Sequence, residues 1–93
     1  MDNERCWRIR FTYLHELTEK WNLTFDDILT HIDSQKAMSH EFIVMEERPG
    51  YCRWGLRHPS VGDYAICTVW TDNPADTRSV TAGFKRLATK VPS

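Results

Sequence analysis

The stretch from Glu41 to Thr71, EFIVMEERPGYCRWGLRHPSVGDYAICTVWT, most constrains what this chain can fold into. It contains three apolar runs, and each run ends in turn residues. Glu41 to Glu46 is rich in the β-branched and aromatic residues that fit a pleated surface. Arg48-Pro49-Gly50 breaks it, because proline presets φ for a turn and glycine accepts a positive φ. In the second run, Tyr51 to His58, Cys52, Trp54 and Leu56 alternate with Arg53, Gly55 and Arg57. Successive strand side chains point to opposite faces, so one face is apolar and the other basic. After Pro59 to Asp63, the run Tyr64 to Thr71 is apolar on both faces, as expected of a central strand. One face carries Tyr64, Ile66, Thr68 and Trp70, the other Ala65, Cys67 and Val69. The stretch reads as a three-stranded antiparallel meander. Gly55, inside a strand, points to a bulge or a close approach of another group.

The start of the chain fits two periods. Trp7, Ile9 and Phe11 alternate with Arg8 and Arg10, as in a strand over residues 6–11. Trp7, Phe11, Leu14 and Trp21 also recur at near-helical spacing, as do Cys6, Ile9, Tyr13 and Leu17. The longer period takes precedence and predicts a helix from Glu4 to Trp21 with Asn3 as its N-cap. Asn22-Leu23 ends it. Thr24 then caps a second helix from Phe25 to about Ile32, with Asp26 and Asp27 in the first turn, where the helix dipole favours acids. Asp33 to His40 reads as a polar connector.

Beyond the meander, Asp72-Asn73-Pro74-Ala75-Asp76 combines an N-cap, a proline at N1 and a first-turn acid. The spacing of Val80, Phe84, Leu87 and Val91 makes the apolar stripe of that last helix, and Pro92 closes it. Gly83 would let it approach a neighbour closely. The expected fold is therefore a single α+β domain over residues 1–93, a two-layer sandwich with the order α-α-β-β-β-α.

The chemistry-bearing residues form no recognisable motif. Cys6, Cys52 and Cys67 are odd in number and unevenly spaced, which predicts free thiols in a reducing, cytoplasmic setting. Cys52 and His58 would lie about 20 Å apart along one extended strand, so no zinc site is expected. Asp26-Asp27 and Glu46-Glu47 are adjacent pairs whose side chains diverge, and the glycines at 50, 55, 62 and 83 make no phosphate loop. The sequence predicts neither an enzyme nor a bound cofactor. It has no apolar run long enough to span a membrane.

Two binding readings remain. Residues 51–91 form a basic β-β-α half, in which Tyr51, Arg53 and Arg57 share a strand face suited to nucleic acid. The α-β-β-β-α order is similar to that of the double-stranded RNA-binding domain in topology alone. Its Gly-x-Pro-His loop and Lys-Lys-x-Ala-Lys helix start are absent, and Pro74-Ala75-Asp76 is acidic where that family is basic. Residues 1–47 carry ten acids and five bases, and residues 48–93 three acids and seven bases, for a net charge of −1. Phosphate binding favours a more basic balance. The first expectation is thus a protein-binding module, an adaptor, inhibitor or regulator, that uses a sheet face. Four tryptophans exceed what a small core would bury, and Trp, Tyr and Arg are enriched at interface hot spots. Tyr51, Arg53 and Arg57 are its expected binding residues, with nucleic acid as the alternative partner.

Overall fold

In the computed structural model, which describes residues 4–13, 16–37 and 41–89, the chain begins as strand rather than helix. The elements are β1 (Trp7–Tyr13), β2 (Glu16–Leu23), α1 (Phe25–Ala37), β3 (Phe42–Arg48), β4 (Tyr51–His58), β5 (Gly62–Thr71) and α2 (Val80–Thr89). The order is β-β-α-β-β-β-α, and one antiparallel sheet runs β2-β1-β5-β4-β3. This corrects the expected α-α-β-β-β-α sandwich. The three runs of the meander do form β3, β4 and β5, but as three strands of a five-stranded sheet.

Pairing explains why alternation beats the helical period in β1. Its residues Trp7 to Phe11 pair with Thr71 to Cys67 of β5, and its other edge pairs with β2. Trp7 and Ile9 become fully buried and Phe11 nearly so, while Arg10 stays exposed. A helix would have gathered Trp7 and Trp21 on one stripe, yet Trp21 is 52% exposed beneath Arg8. Leu14 and the N-cap candidate Asn3 lie outside the described residues. A register shift between Trp7 and Ile9 accommodates Asn22 at φ 57°.

Thr24 caps α1 as its sequence suggests. Its hydroxyl accepts from the Asp27 amide and the Asp27 carboxylate accepts from the Thr24 amide, both at 3.0 Å, in a reciprocal capping box. The helix continues to Ala37, past the expected end near Ile32, and takes in part of the supposed connector. Phe25, Ile28, Leu29 and Ile32 make its buried face.

The segment from Asp72 to Ser79 is a strap and not the first turn of a helix. Asn73 closes a turn on itself: its side chain accepts from the Ala75 amide at 3.0 Å and its carbonyl from the Asp76 amide at 3.0 Å. Asp76 is drawn away from any helix start by Trp7 and Arg78. The cap of α2 is instead built from two elements. Ser79 Oγ accepts from the Ala82 amide, and the Glu47 carboxylate of β3 accepts from the Thr81 amide at 3.0 Å and from the Ser79 hydroxyl. Val80 and Phe84 of the expected stripe are buried, Leu87 is 48% exposed, and Val91 lies outside the described residues.

Both helices share one core with one sheet face: Trp7, Ile9, Phe11, Cys52, Trp54, Cys67 and Val69 meet Phe25, Ile28, Leu29, Ile32, Val80 and Phe84. The Cα envelope measures 46 × 38 × 19 Å. A thickness of 19 Å accommodates a sheet and one helix layer about 10 Å away. Among the described residues, no helix covers the second face of the sheet.

Candidate functional site

The helix-free face takes its side chains from the other phase of every strand. Arg8 and Arg10 of β1 stand opposite Trp70 and Thr68 of β5, and Tyr51 and Arg53 of β4 stand opposite the same two residues from the other side. Arg48 of β3 faces Tyr51, and Glu46 faces Arg53. Tryptophans are divided between the faces: Trp7 and Trp54 lie in the core, while Trp21 and Trp70 stand among the arginines.

Two bulges shape this face. Met45 of β3 is skipped between Val44 and Glu46, and Ile66 of β5 is skipped between Trp54 and Gly55 of the facing strand. Ile66 thus interrupts the strict alternation expected from Tyr64 to Trp70. Both irregularities flank Gly55, where an added Cβ would sit 2.4 Å from the Met45 sulfur and 2.5 Å from the Tyr64 carbonyl oxygen. Glycine is required there by close approach. Bulges increase local twist and bend the strand, and the face is concave beside them.

The concavity is a shallow hollow of about 690 Å³. Arg10, Arg48, Tyr51, Arg53 and Trp70 line it, together with Thr68. The aromatic rings and guanidiniums stack: Arg48 lies 4.1 Å from the Tyr51 ring centroid, and Arg10 5.5 Å from that of Trp70. Arg53 reaches the Tyr51 hydroxyl at 3.5 Å, a contact that raises its already high pKa. Beyond the hollow, Arg8 stacks on Trp21 at 3.7 Å.

Each cation has an acidic neighbour, but the balance is positive. Arg10 pairs with Glu19 at 3.2 Å, Arg8 with Asp72, and Arg57 with Asp63 at 3.0 Å. Arg48 and Arg53 share one carboxylate, that of Glu46, at 3.4 and 3.5 Å. Among the described residues, the three guanidiniums that line the hollow pair with two carboxylates, Glu19 and Glu46, which stand outside its lining. These pairs are solvent-exposed and individually weak, so an incoming anion can compete for the arginines at little cost. The opposite charges of the two chain halves interleave in space, since β1 from the first half lies beside β5 from the second.

Of the residues expected to bind, Tyr51 and Arg53 lie together in the hollow. Arg57 shares their face of β4 but stands about 13 Å further along the strand. There it makes a two-pronged pair with Asp63, which raises its pKa and lowers that of the carboxyl group. Arg8, Arg10, Arg48, Trp21 and Trp70 were not expected here. The alternation of Arg8 and Arg10 with Trp7, Ile9 and Phe11 was the signal for the first two.

Cys52 and Cys67 carry free thiols buried in the core, as Cys6 carries one at its edge. Burial pushes the Cys52 thiol up to about 11 and the Cys67 thiol up to about 12, away from the thiolate needed for nucleophilic attack or metal binding. Among the described residues, no three His, Cys, Asp or Glu side chains gather as a metal ion would require. No described helix is long and apolar enough to cross a membrane.

No protein-family model, curated protein or solved structure matches this chain.

Proposed function

We propose that this chain is a small, non-catalytic protein-binding module whose helix-free sheet face recognises an acidic segment of a partner protein. The observation that carries this reading is the hollow in which Arg10, Arg48 and Arg53 stand among Tyr51 and Trp70, paired among the described residues with the carboxylates of Glu19 and Glu46. Guanidinium groups pair with carboxylates in a planar, two-pronged geometry. Stacked on rings, they are also held in place before a partner arrives, which reduces the ordering cost of binding. Tyrosine, tryptophan and arginine are the residues that dominate interface energetics.

A second reading has one specific observation in its favour. Trp21, Tyr51 and Trp70 are interleaved with arginines on an open sheet, and bases stack on such aromatic platforms. Against it stands a net charge of −1, where binding to a phosphate backbone favours a clearly basic balance.

Selection of displayed peptides on the immobilised full chain distinguishes the two. The protein-binding reading predicts enrichment of peptides rich in Asp and Glu, and loss of that enrichment on Arg10→Ala/Arg53→Ala. Fluorescence anisotropy with labelled single-stranded oligonucleotides supplies the other arm. Tight oligonucleotide binding that falls steeply with salt and survives competition by the acidic peptides would replace the first reading with the second.

A further inference from the structure

The helix-free face is laid out in rows that cross the strands. Register places Glu19, Arg10, Thr68, Arg53 and Glu46 side by side on β2, β1, β5, β4 and β3. Arg10 pairs with Glu19 at 3.2 Å and Arg53 with Glu46 at 3.5 Å, so this row has its cations inside and a carboxylate at each end. The neighbouring row, two residues along each strand, runs Arg8, Trp70, Tyr51 and Arg48. Trp70 and Tyr51 are directly paired at its middle.

The charged row has a fixed span. A residue of an interior antiparallel strand makes a wide pair with one neighbour and a narrow pair with the other, about 5.5 and about 4.5 Å between Cα atoms. Arg10 and Arg53, on either side of Thr68, therefore stand about 10 Å apart at the backbone. A ligand cannot add a strand here. The hollow lies over β1, β5 and β4, and each of these has a hydrogen-bonded neighbour on both sides. Binding must go through side chains, from a ligand whose own backbone needs no sheet partner.

Polyproline II meets both conditions. It has about three residues per turn and rises about 3.1 Å per residue, so residues three apart share a face at about 9.3 Å. Its backbone makes no internal hydrogen bonds and stays solvated. A β-extended segment instead repeats its face at about 6.7 Å and about 13 Å. An α-helix comes close only over seven residues, about 10.5 Å, and its interior excludes the proline rings that suit an aromatic groove.

We propose that the acidic segment recognised by this face is proline-rich and bound as polyproline II. Its carboxylates, three residues apart, sit over Arg10 and Arg53, and the prolines between them lie against Trp70 and Tyr51. The proposal rests on the reading of the hollow as a site for acidic segments and adds the conformation and spacing of the partner. Glu19 and Glu46 set the register, because an acid placed beyond either end of the row meets a like charge.

The test is fluorescence anisotropy of the full chain with labelled Pro-Pro-Glu-Pro-Pro-Glu-Pro-Pro at low ionic strength. Two peptides of the same composition place the glutamates two or four residues apart, and an alanine-based helical peptide places them seven apart. The three-residue spacing should bind several-fold more tightly than the others on the parent chain. That preference should disappear in Arg53→Gln with the circular dichroism unchanged. Equal affinity of the spacing isomers on the parent chain overturns the proposal, as does tighter binding of the helical peptide or a preference that survives Arg53→Gln. Each of these leaves the acidic-segment reading in place. Failure of all four peptides overturns the proposal alone if displayed peptides rich in Asp and Glu are still enriched, and overturns both if they are not.

Discussion

The indole nitrogen of Trp7 donates to the carboxylate of Asp76 at 2.9 Å, joining the first strand to the strap before the last helix. Arg78 completes the junction: it bonds Asp76 through Nε at 2.9 Å and Nη2 at 2.7 Å while lying 4.4 Å over the Phe25 ring. Phe25 in turn packs on Trp7 with centroids 5.2 Å apart. Four residues from β1, α1 and the strap therefore close one end of the core.

This junction predicts a specific dependence on acid. The Arg78 guanidinium first, then the Trp7 indole, holds the Asp76 carboxyl well below the ordinary 3.8. A carboxyl depressed by folding stabilises the protein fully above its unfolded pKa, and that contribution is lost as pH falls toward the folded one. Asp76→Asn should cost about 1.5–3 kcal/mol at pH 7, the range for hydrogen bonds to charged groups. The difference in melting temperature from the parent should narrow as pH falls from about 4 to about 2. A constant difference across that range would mean that the Asp76 charge has no part in stability.

Gly83 sets two effects against each other. Alanine in its place improves helix propensity by about 1 kcal/mol. The added Cβ would meet Phe25 Cε2 and Cζ at 2.8 Å, and that ring is held by Trp7 and Arg78. Overpacking costs about 1–3 kcal/mol, so Gly83→Ala should be destabilising overall. In a Phe25→Leu background the same change should become neutral or stabilising, and a denaturant double-mutant cycle measures the coupling.

The stripe of α2 predicts an unequal mutational response. Phe84 is 5% exposed and edge-on to Trp54, so Phe84→Ala should cost about 3–5 kcal/mol. Leu87, though in the same sequence stripe, is 48% exposed, and Leu87→Ala should stay within about 0.5 kcal/mol. Urea denaturation of the two variants compares them directly.

Much of this fold is legible from local chemistry. The turns at Pro49-Gly50 and before Gly62 separate the strands that the residue pattern expects, although β3 runs on to Arg48 and β5 starts at Gly62 and not at Tyr64; both glycines take positive φ. Thr24 announces its helix because its capping partner, Asp27, is three residues away. The start of α2 is illegible for the opposite reason, since Glu47, which caps it, lies 32 residues before Ser79. Between residues 7 and 23 both periods are present in the sequence, and pairing with β5, a tertiary effect, selects the strand. Tyr51 and Arg53 could be placed on one face from alternation within β4. Their meeting with Arg10 and Trp70 needed the strand order β1-β5-β4, which no single strand encodes.

Thiol reactivity follows from the same packing. Cys52 and Cys67 are fully buried and their thiols are pushed up to about 11 and about 12. At pH 8 the native chain should therefore modify only at Cys6 with a thiol-specific reagent, and the other two should react on unfolding. Rapid labelling of Cys52 or Cys67 in the native state, located by peptide mass spectrometry, would contradict this core.

The central claim is that the hollow around Arg53 is the recognition surface, and one comparison of affinities tests it most directly. Calorimetric titration with an acidic peptide enriched on the parent chain should give a loss of about 2 kcal/mol or more for Arg10→Ala/Arg53→Ala, with the fold unchanged by circular dichroism. Arg57→Ala, on the same strand face but paired with Asp63 outside the hollow, should bind like the parent. Full affinity in the folded double variant, or an equal loss in Arg57→Ala, would contradict the account.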